Sequence, residues 1–159
     1  MTSTLRKLAL SAFLSVSALS AVTMTSCSKD DETCSVGLTG KDCKDQVRAG
    51  YYNSYKGSGV DNEGDTYTDF TAKFTALGTD PTKMNLQLLD NKLASVDAYT
   101  VTLTSNTAFN VDTKVDGSMT TTGTGTIDAS KVTLTLNVKD GSGGTTTTLV
   151  VTFTNMVKQ

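Results

Sequence analysis

The chain of 159 residues is long enough for one domain with a hydrophobic core and too short for two ordinary ones. Thirty threonines and thirteen glycines, against one proline and no tryptophan, favour β-structure over helix. The formal net charge of -2 and the absence of a basic patch argue against a nucleic-acid partner, and the absence of histidine removes the usual general base.

The N-terminal residues 1–26 have the layout of a secretory signal. Arg6 and Lys7 precede an apolar run over residues 8–24 that is rich in alanine and serine. A transmembrane helix needs about 20 strongly apolar residues, and the serines dilute this run too much. Small residues at Ala18 and Ser20 would also suit an ordinary signal peptidase.

A lipid anchor is predicted at Cys27. The sequence Met24-Thr25-Ser26-Cys27 resembles a bacterial lipobox, although leucine is commoner than methionine at its first position. The resemblance implies cleavage before Cys27 and attachment of two or three acyl chains there, which anchor a protein stably to a membrane.

Residues 27–33 form an acidic tether after this anchor. Its run Lys29-Asp30-Asp31-Glu32 is either a solvated linker or an export signal. It resembles the acidic tag that follows the lipidated cysteine of Bacteroidetes surface lipoproteins. That resemblance implies an outer-membrane, lipid-anchored protein exposed on the cell surface.

The other two cysteines lie in residues 34–45. Cys34 and Cys43 enclose the pattern C-x-x-G-x-x-G-x-x-C, with Gly37 and Gly40 in place. The spacing resembles the final cysteine pair of an EGF-like module, which implies a disulfide, and an export compartment favours that bond. We expect a stapled turn at the start of the domain rather than a redox site, because the spacing is not C-x-x-C. No thiol is then left for catalysis or metal binding.

Residues 46–159 form the predicted barrel domain, and from Gly50 onward they show period-two alternation in short segments, which predicts eight strands. Turns are expected at residues 57–64, 78–81, 90–91, 116–117 and 140–144, and one helical turn at 92–96. Gly123 and Gly125 predict a bend or bulge in the sixth strand. The strands are marked by Tyr51 and Tyr55; Phe70, Ala72, Phe74 and Ala76; Met84, Leu86 and Leu88; Tyr99, Val101 and Leu103; Phe109, Val111 and Val115; residues 119–127; Val132, Leu134, Leu136 and Val138; and Leu149, Val151 and Phe153.

Eight strands joined by short loops predict an all-β protein with an antiparallel up-and-down barrel. Closure removes exposed strand edges, and eight strands enclose either packed side chains or one small ligand. A β-sandwich of the immunoglobulin type is the alternative. With the lipidated cysteine, the cysteine pair, the Gly50-Tyr51-Tyr52 start and the Val-Thr-Phe-Thr end, the chain resembles Bacteroidetes surface lipoproteins with a lipocalin-like or calycin-like barrel.

No chemical site is predicted. The carboxylates fall mainly in turns, where turn chemistry favours them, so we expect no enzyme, no catalytic residue, no metal and no cofactor. The segment 61–65 has calcium-type oxygen ligands, but an acidic hairpin loop explains it as well. The tyrosines either line a pocket at one barrel mouth or belong to the core: Tyr51, Tyr52, Tyr55 and Tyr67.

Three functions follow from these features. The first is a non-enzymatic, lipid-anchored surface barrel that binds a small, partly apolar ligand through residues not identified by the sequence. The second is a structural or interaction subunit of an outer-membrane surface complex, with a filled barrel. The third is an enzyme that uses two carboxylates. The membrane, reached through the lipid anchor, is the one partner that the sequence specifies.

Overall fold

The computed structural model describes residues 34–142 and 146–159, and this part of the chain is almost entirely β. Eight strands form a closed antiparallel barrel, in which neighbours in sequence are neighbours in space and the last strand pairs with the first. The predicted eight-stranded up-and-down barrel is therefore confirmed, and the sandwich alternative is wrong. The elements are β1 (Leu38–Thr39), β2 (Asp45–Gln46), a 3-10 helix (Val47–Tyr51), and the barrel strands β3 (Ser54–Asp61), β4 (Thr66–Ala76), β5 (Lys83–Asp90), β6 (Ser95–Leu103), β7 (Ala108–Asp116), β8 (Met119–Ile127), β9 (Lys131–Asp140) and β10 (Thr147–Lys158).

The first barrel strand differs from the sequence prediction. Tyr51 ends the 3-10 helix, and the strand begins at Ser54 and continues through most of the predicted turn at 57–64. Gly57 and Gly59 are needed inside this strand. A Cβ on Gly57 would lie 3.0 Å from the Met156 Cα, and one on Gly59 would lie 2.7 Å from the Phe153 ring. These glycines give room to side chains of β10 rather than marking a loop.

Two further local predictions are wrong. Residues 91–94 form a turn rather than a helix, because an Asp90 carboxylate oxygen accepts hydrogen bonds from the Lys92 and Leu93 amides. The predicted bulge at Gly123 and Gly125 lies instead on the neighbouring strand β7, within residues 112–113. At both glycines, side chains of neighbouring strands pack directly against the backbone, where a Cβ atom would not fit.

One end of the barrel, the capped end, is covered by the segment that precedes β3. The Arg48 side chain is 3% exposed, and its guanidinium donates to the carbonyls of Leu77, Gly78 and Lys83 at 3.0, 3.0 and 2.5 Å. The Tyr51 hydroxyl donates to the Asn106 carbonyl at 2.5 Å. The 3-10 helix is thereby joined to the loops that follow β4 and β6.

The disulfide-closed turn also lies at the capped end. Cys34 is bonded to Cys43, with 5.3 Å between their Cα atoms, as the sequence predicted. The Gly37 amide donates to the Asn106 side chain at 3.1 Å, and a Cβ on Gly37 would meet the Pro81 carbonyl oxygen at 2.6 Å. Its positive φ of 87° and this close approach both require glycine.

Large side chains fill the barrel interior. The ring of Phe74 packs edge-on against those of Tyr55 and Phe109, with centroid distances of 5.9 and 5.6 Å. Phe70 packs against Phe153 at 5.2 Å. The largest side chains that are less than 2% exposed come from all eight barrel strands: Tyr55, Phe74, Phe109, Phe153, Met84, Leu86, Ile127, Leu134, Met156, Val101 and Val132.

The opposite end of the barrel, the far end, carries the loops that follow β3, β5, β7 and β9. Within residues 34–142 and 146–159, no helix is both long enough and apolar enough to span a bilayer.

Candidate functional site

The wall of the barrel opens between β6 and β7 toward the far end. Strand β6 pairs with β5 along eight positions, from Lys83↔Thr102 to Asp90↔Ser95. It pairs with β7 at three positions only, from Leu103↔Phe109 to Val101↔Val111. We call the unpaired stretch, residues 95–100 of β6 and 112–116 of β7, the seam.

A one-residue bulge in β7 coincides with the start of the seam. Between the pairs Val111↔Gly123 and Lys114↔Thr121, strand β7 has one more residue than β8. A bulge of this kind bends its strand and reverses which residues face inward. Val115, predicted to share a face with Phe109 and Val111, is consequently 67% exposed.

Tyr99 and Lys114 occupy the seam from its two sides. The Lys114 ammonium lies 4.9 Å from the centroid of the Tyr99 ring, a cation–π distance. The same ammonium lies 3.5 Å from a carboxylate oxygen of Asp97. Tyr99 is 8% exposed, so its ring closes the gap that the backbone leaves.

The Tyr99 hydroxyl is held in its neutral form. Burial raises the pKa of Tyr99 to about 12, and the negative charge of Asp97 acts in the same direction, while a hydrogen bond with Thr121 lowers it. A phenol with so high a pKa does not act as a base near neutral pH. Its hydroxyl is suited to hydrogen bonding and its ring to packing.

Two depressions border the seam. A groove of about 420 Å³ lies along it, lined by Ala98, Tyr99, Thr100, Asp112, Thr113 and Lys114. A smaller pocket of about 150 Å³ lies at the far end, where Met119, Thr121 and Val138 supply its wall beside Tyr99 and Lys114. The groove therefore runs between two strand edges, and the pocket adjoins its far end.

Negative charge dominates around the far end. Among the described residues, eight carboxylates and four lysines lie there, which leaves four negative charges uncompensated. The carboxylates are Asp61, Glu63, Asp65, Asp69, Asp90, Asp97, Asp116 and Asp140, and the lysines are Lys56, Lys92, Lys114 and Lys139. Asp97 and Asp116 belong to the strands that form the seam.

The candidate tyrosines do not share one mouth. Tyr51 and Tyr55 lie at the capped end, where the Tyr55 hydroxyl donates to the Asp128 carbonyl at 3.2 Å. Tyr52 is half-buried and packs against the core, whereas Tyr67 lies toward the far end. These side chains serve as core and as anchors for loops.

In the acidic segment 61–65, the side-chain oxygens of Asp61 and Asn62 accept hydrogen bonds from the protein itself. One carboxylate oxygen of Asp61 accepts from the amides of Glu63 and Asp65, both at 2.9 Å, and the other accepts from the Tyr67 hydroxyl at 2.9 Å. Burial raises the pKa of Asp61, but these hydrogen bonds outweigh it and hold the pKa below its usual value. Asn62 accepts from the Val150 amide at 2.8 Å. The segment is a hairpin loop that Asn62 joins to β10.

No cluster of three or more side chains suited to a metal ion occurs among residues 34–142 and 146–159. Cys27, the predicted lipidation site, lies outside the described residues. The sequence did not point to Lys114 or to the seam, because the bulge that creates them leaves no mark on the alternation of residues 109–115.

Comparisons with known proteins show distant structural similarity only. No protein-family model and no curated protein sequence matches the chain. A crystal structure of a proposed outer membrane protein from Bacteroides fragilis NCTC 9343 matches with a TM-score of 0.43 and 16% sequence identity. The match covers 70% of this chain and 54% of that one, so the chain spans about half the length of the protein it matches.

Proposed function

We propose that this chain is a lipid-anchored barrel on the outer-membrane surface that acts as an interaction module and has no catalytic activity. The filled interior is the observation that carries this proposal. Pockets for drug-sized ligands measure about 300–1,000 Å³ and are largely enclosed. Here Phe74, Phe109 and Phe153, which are each no more than 2% exposed, occupy the space that an internal ligand would need.

Binding of a small, partly apolar ligand is the second candidate. The pocket of about 150 Å³ beside Tyr99 favours it, because Met119 and Val138 offer apolar contact and Lys114 offers a positive charge. The site would sit at the barrel mouth and would accept a fragment rather than a whole lipid.

The test uses the full chain extracted from its host membrane in mild detergent. Labelled palmitate should enter the wild type and be lost in Cys27→Ala. Native mass spectrometry should give the protein plus its acyl chains, and native electrophoresis should give a species larger than the monomer. A stoichiometric small molecule would favour the second candidate, and a ligand-free monomer would refute the interaction role.

A further inference from the structure

The β6 edge in the seam presents free backbone hydrogen-bonding groups. The Leu103 amide donates to Thr82 on the β5 side, and the Thr104 amide donates to Ala108 on the β7 side. Backbone groups alternate direction along a strand, so those of Val96, Ala98 and Thr100 point toward β7. Pairing with β7 ends at Val101, and these groups face the groove of about 420 Å³.

Exposed apolar side chains concentrate at the same place. Of the seven large apolar side chains exposed within the described part of the chain, four lie at the far-end termini of β6, β7 and β8 or in the turn before β6. They are Leu93, Val96, Val115 and Met119, with exposed fractions of 76%, 55%, 67% and 47%. Val96 and Val115 belong to the two strands that border the seam. A strand edge with apolar side chains beside it is a template for another extended chain.

We propose that the seam binds an extended, basic peptide segment of a partner protein, with apolar residues at alternate positions, as an added strand along β6. The proposal rests on the interaction role proposed above and names its surface. The added strand would bond to the backbone of Val96, Ala98 and Thr100. Its apolar side chains would cover Val96 and Val115.

The charge of the seam favours a basic peptide over a second copy of this chain or its own acidic N-terminal segment. Asp97 and Asp116 lie at the seam and Asp112 at its edge. Lys114 pairs with Asp97 and Lys83 pairs with Asp112, which leaves the charge of Asp116 and the net negative charge of the far end uncompensated. A second copy would bring the same acidic edge to the seam and meet like charges, which disfavours self-pairing. The run Lys29-Asp30-Asp31-Glu32 of this chain is itself acidic and would also meet like charges at the seam. A basic partner strand satisfies both the hydrogen bonds and the charge.

Amide hydrogen exchange of the full chain in detergent tests the proposal, with a short peptide of alternating lysine and valine as the probe. The peptide should slow exchange at Val96, Ala98 and Thr100. It should leave Asp97 and Tyr99 unchanged, because their amides already face β5. A lysine–valine peptide N-methylated on alternate amides should bind at least about tenfold more weakly, the loss expected for two hydrogen bonds. A glutamate–valine peptide should also bind at least about tenfold more weakly, because its negative charges meet the acidic seam.

The variant Ala98→Pro gives a second arm. The Ala98 amide hydrogen faces the seam, and proline removes it. Pairing with β5 is therefore kept, whereas binding of the added strand is blocked. The variant Ala98→Val keeps the amide and should bind as the wild type does. The proposal is overturned if the glutamate–valine or N-methylated peptide binds equally well, if protection appears on other strands, or if the protein alone already protects these amides by self-association. The glutamate–valine and N-methylated peptides test the proposal on the wild-type protein, even if Ala98→Pro fails to fold.

Discussion

Replacing Arg48 should destabilise the barrel, because its side chain joins the loops of the capped end. Its guanidinium is 3% exposed and bonds to three backbone carbonyls and to the Gln46 side chain. In Arg48→Met the apolar stem is preserved, but the carbonyls of Leu77, Gly78 and Lys83 lose their charged donor. The expected effect therefore isolates the guanidinium contacts from side-chain packing.

The magnitude follows from opposing contributions. A hydrogen bond to a charged group contributes about 1.5–3 kcal/mol, so three such bonds set an upper limit of roughly 4.5–9 kcal/mol. Burying a charge costs several kcal/mol in return. We expect Arg48→Met to lower the free energy of unfolding by about 3 kcal/mol. Arg48→Lys should lower it by about 2 kcal/mol, because one ammonium cannot replace the planar fork.

Urea unfolding followed by circular dichroism measures this change. The midpoint should fall while the slope with urea stays constant, which indicates lost stability without a change in the unfolded state. Thermal unfolding should shift downward by about 10 °C. Lys44→Met is the matched control, because its ammonium is exposed and 3.8 Å from Asp42, and it should change stability by less than about 0.5 kcal/mol. Equal stabilities of the two methionine variants would refute the capping role of Arg48.

Three other predictions concern the core, the disulfide and a buried phenol. Gly125→Ala should cost about 1–3 kcal/mol in urea unfolding, because its Cβ would lie 2.3 Å from a buried ring, whereas Gly50→Ala, with open space around it, should cost far less; equal losses would contradict the packing. Replacing Cys34 and Cys43 by serine should cost about 2.7 kcal/mol for a ten-residue loop, and an unchanged midpoint would contradict that role. Because the pKa of Tyr99 is raised, its neutral hydroxyl contributes fully to stability below pH 10, and this contribution is lost as the pH rises toward 12. The free energy of unfolding of Tyr99→Phe should therefore fall less over that range, and parallel profiles of unfolding free energy against pH would refute the assignment.

Regular alternation made most of the barrel predictable. Over residues 84–88 of β5 and 99–103 of β6, apolar residues occupy every second position, so the inward faces of Met84, Leu86, Tyr99 and Val101 follow directly from the sequence. The dipeptide that ends β7 contains Gly117 at a positive φ of 60°, as a tight hairpin requires. Strand number and topology follow from such local signals.

Features that depend on distant partners were not predictable. Gly57 and Gly59 interrupt the apolar–polar alternation by which β3 could have been recognised. They are glycines because Met156 and Phe153, far along the chain, occupy the space that a side chain would need. The acceptors of Arg48 are likewise backbone carbonyls about thirty positions away, whose location no sequence pattern records. Sequence alternation describes one strand at a time, whereas packing across the barrel requires the assembled sheet.

The bulge in β7 makes the open wall sensitive to a single codon. Deleting Thr113 would remove the extra residue, leave Lys114 and Val115 on their present faces, and let the far half of β7 align with β6. Evolution can therefore convert a sealed barrel into one with an accessible edge by one in-frame insertion, without altering the other seven strands. Among descendants of a common ancestor, the length of this strand would separate those that recruit other chains from those that remain inert.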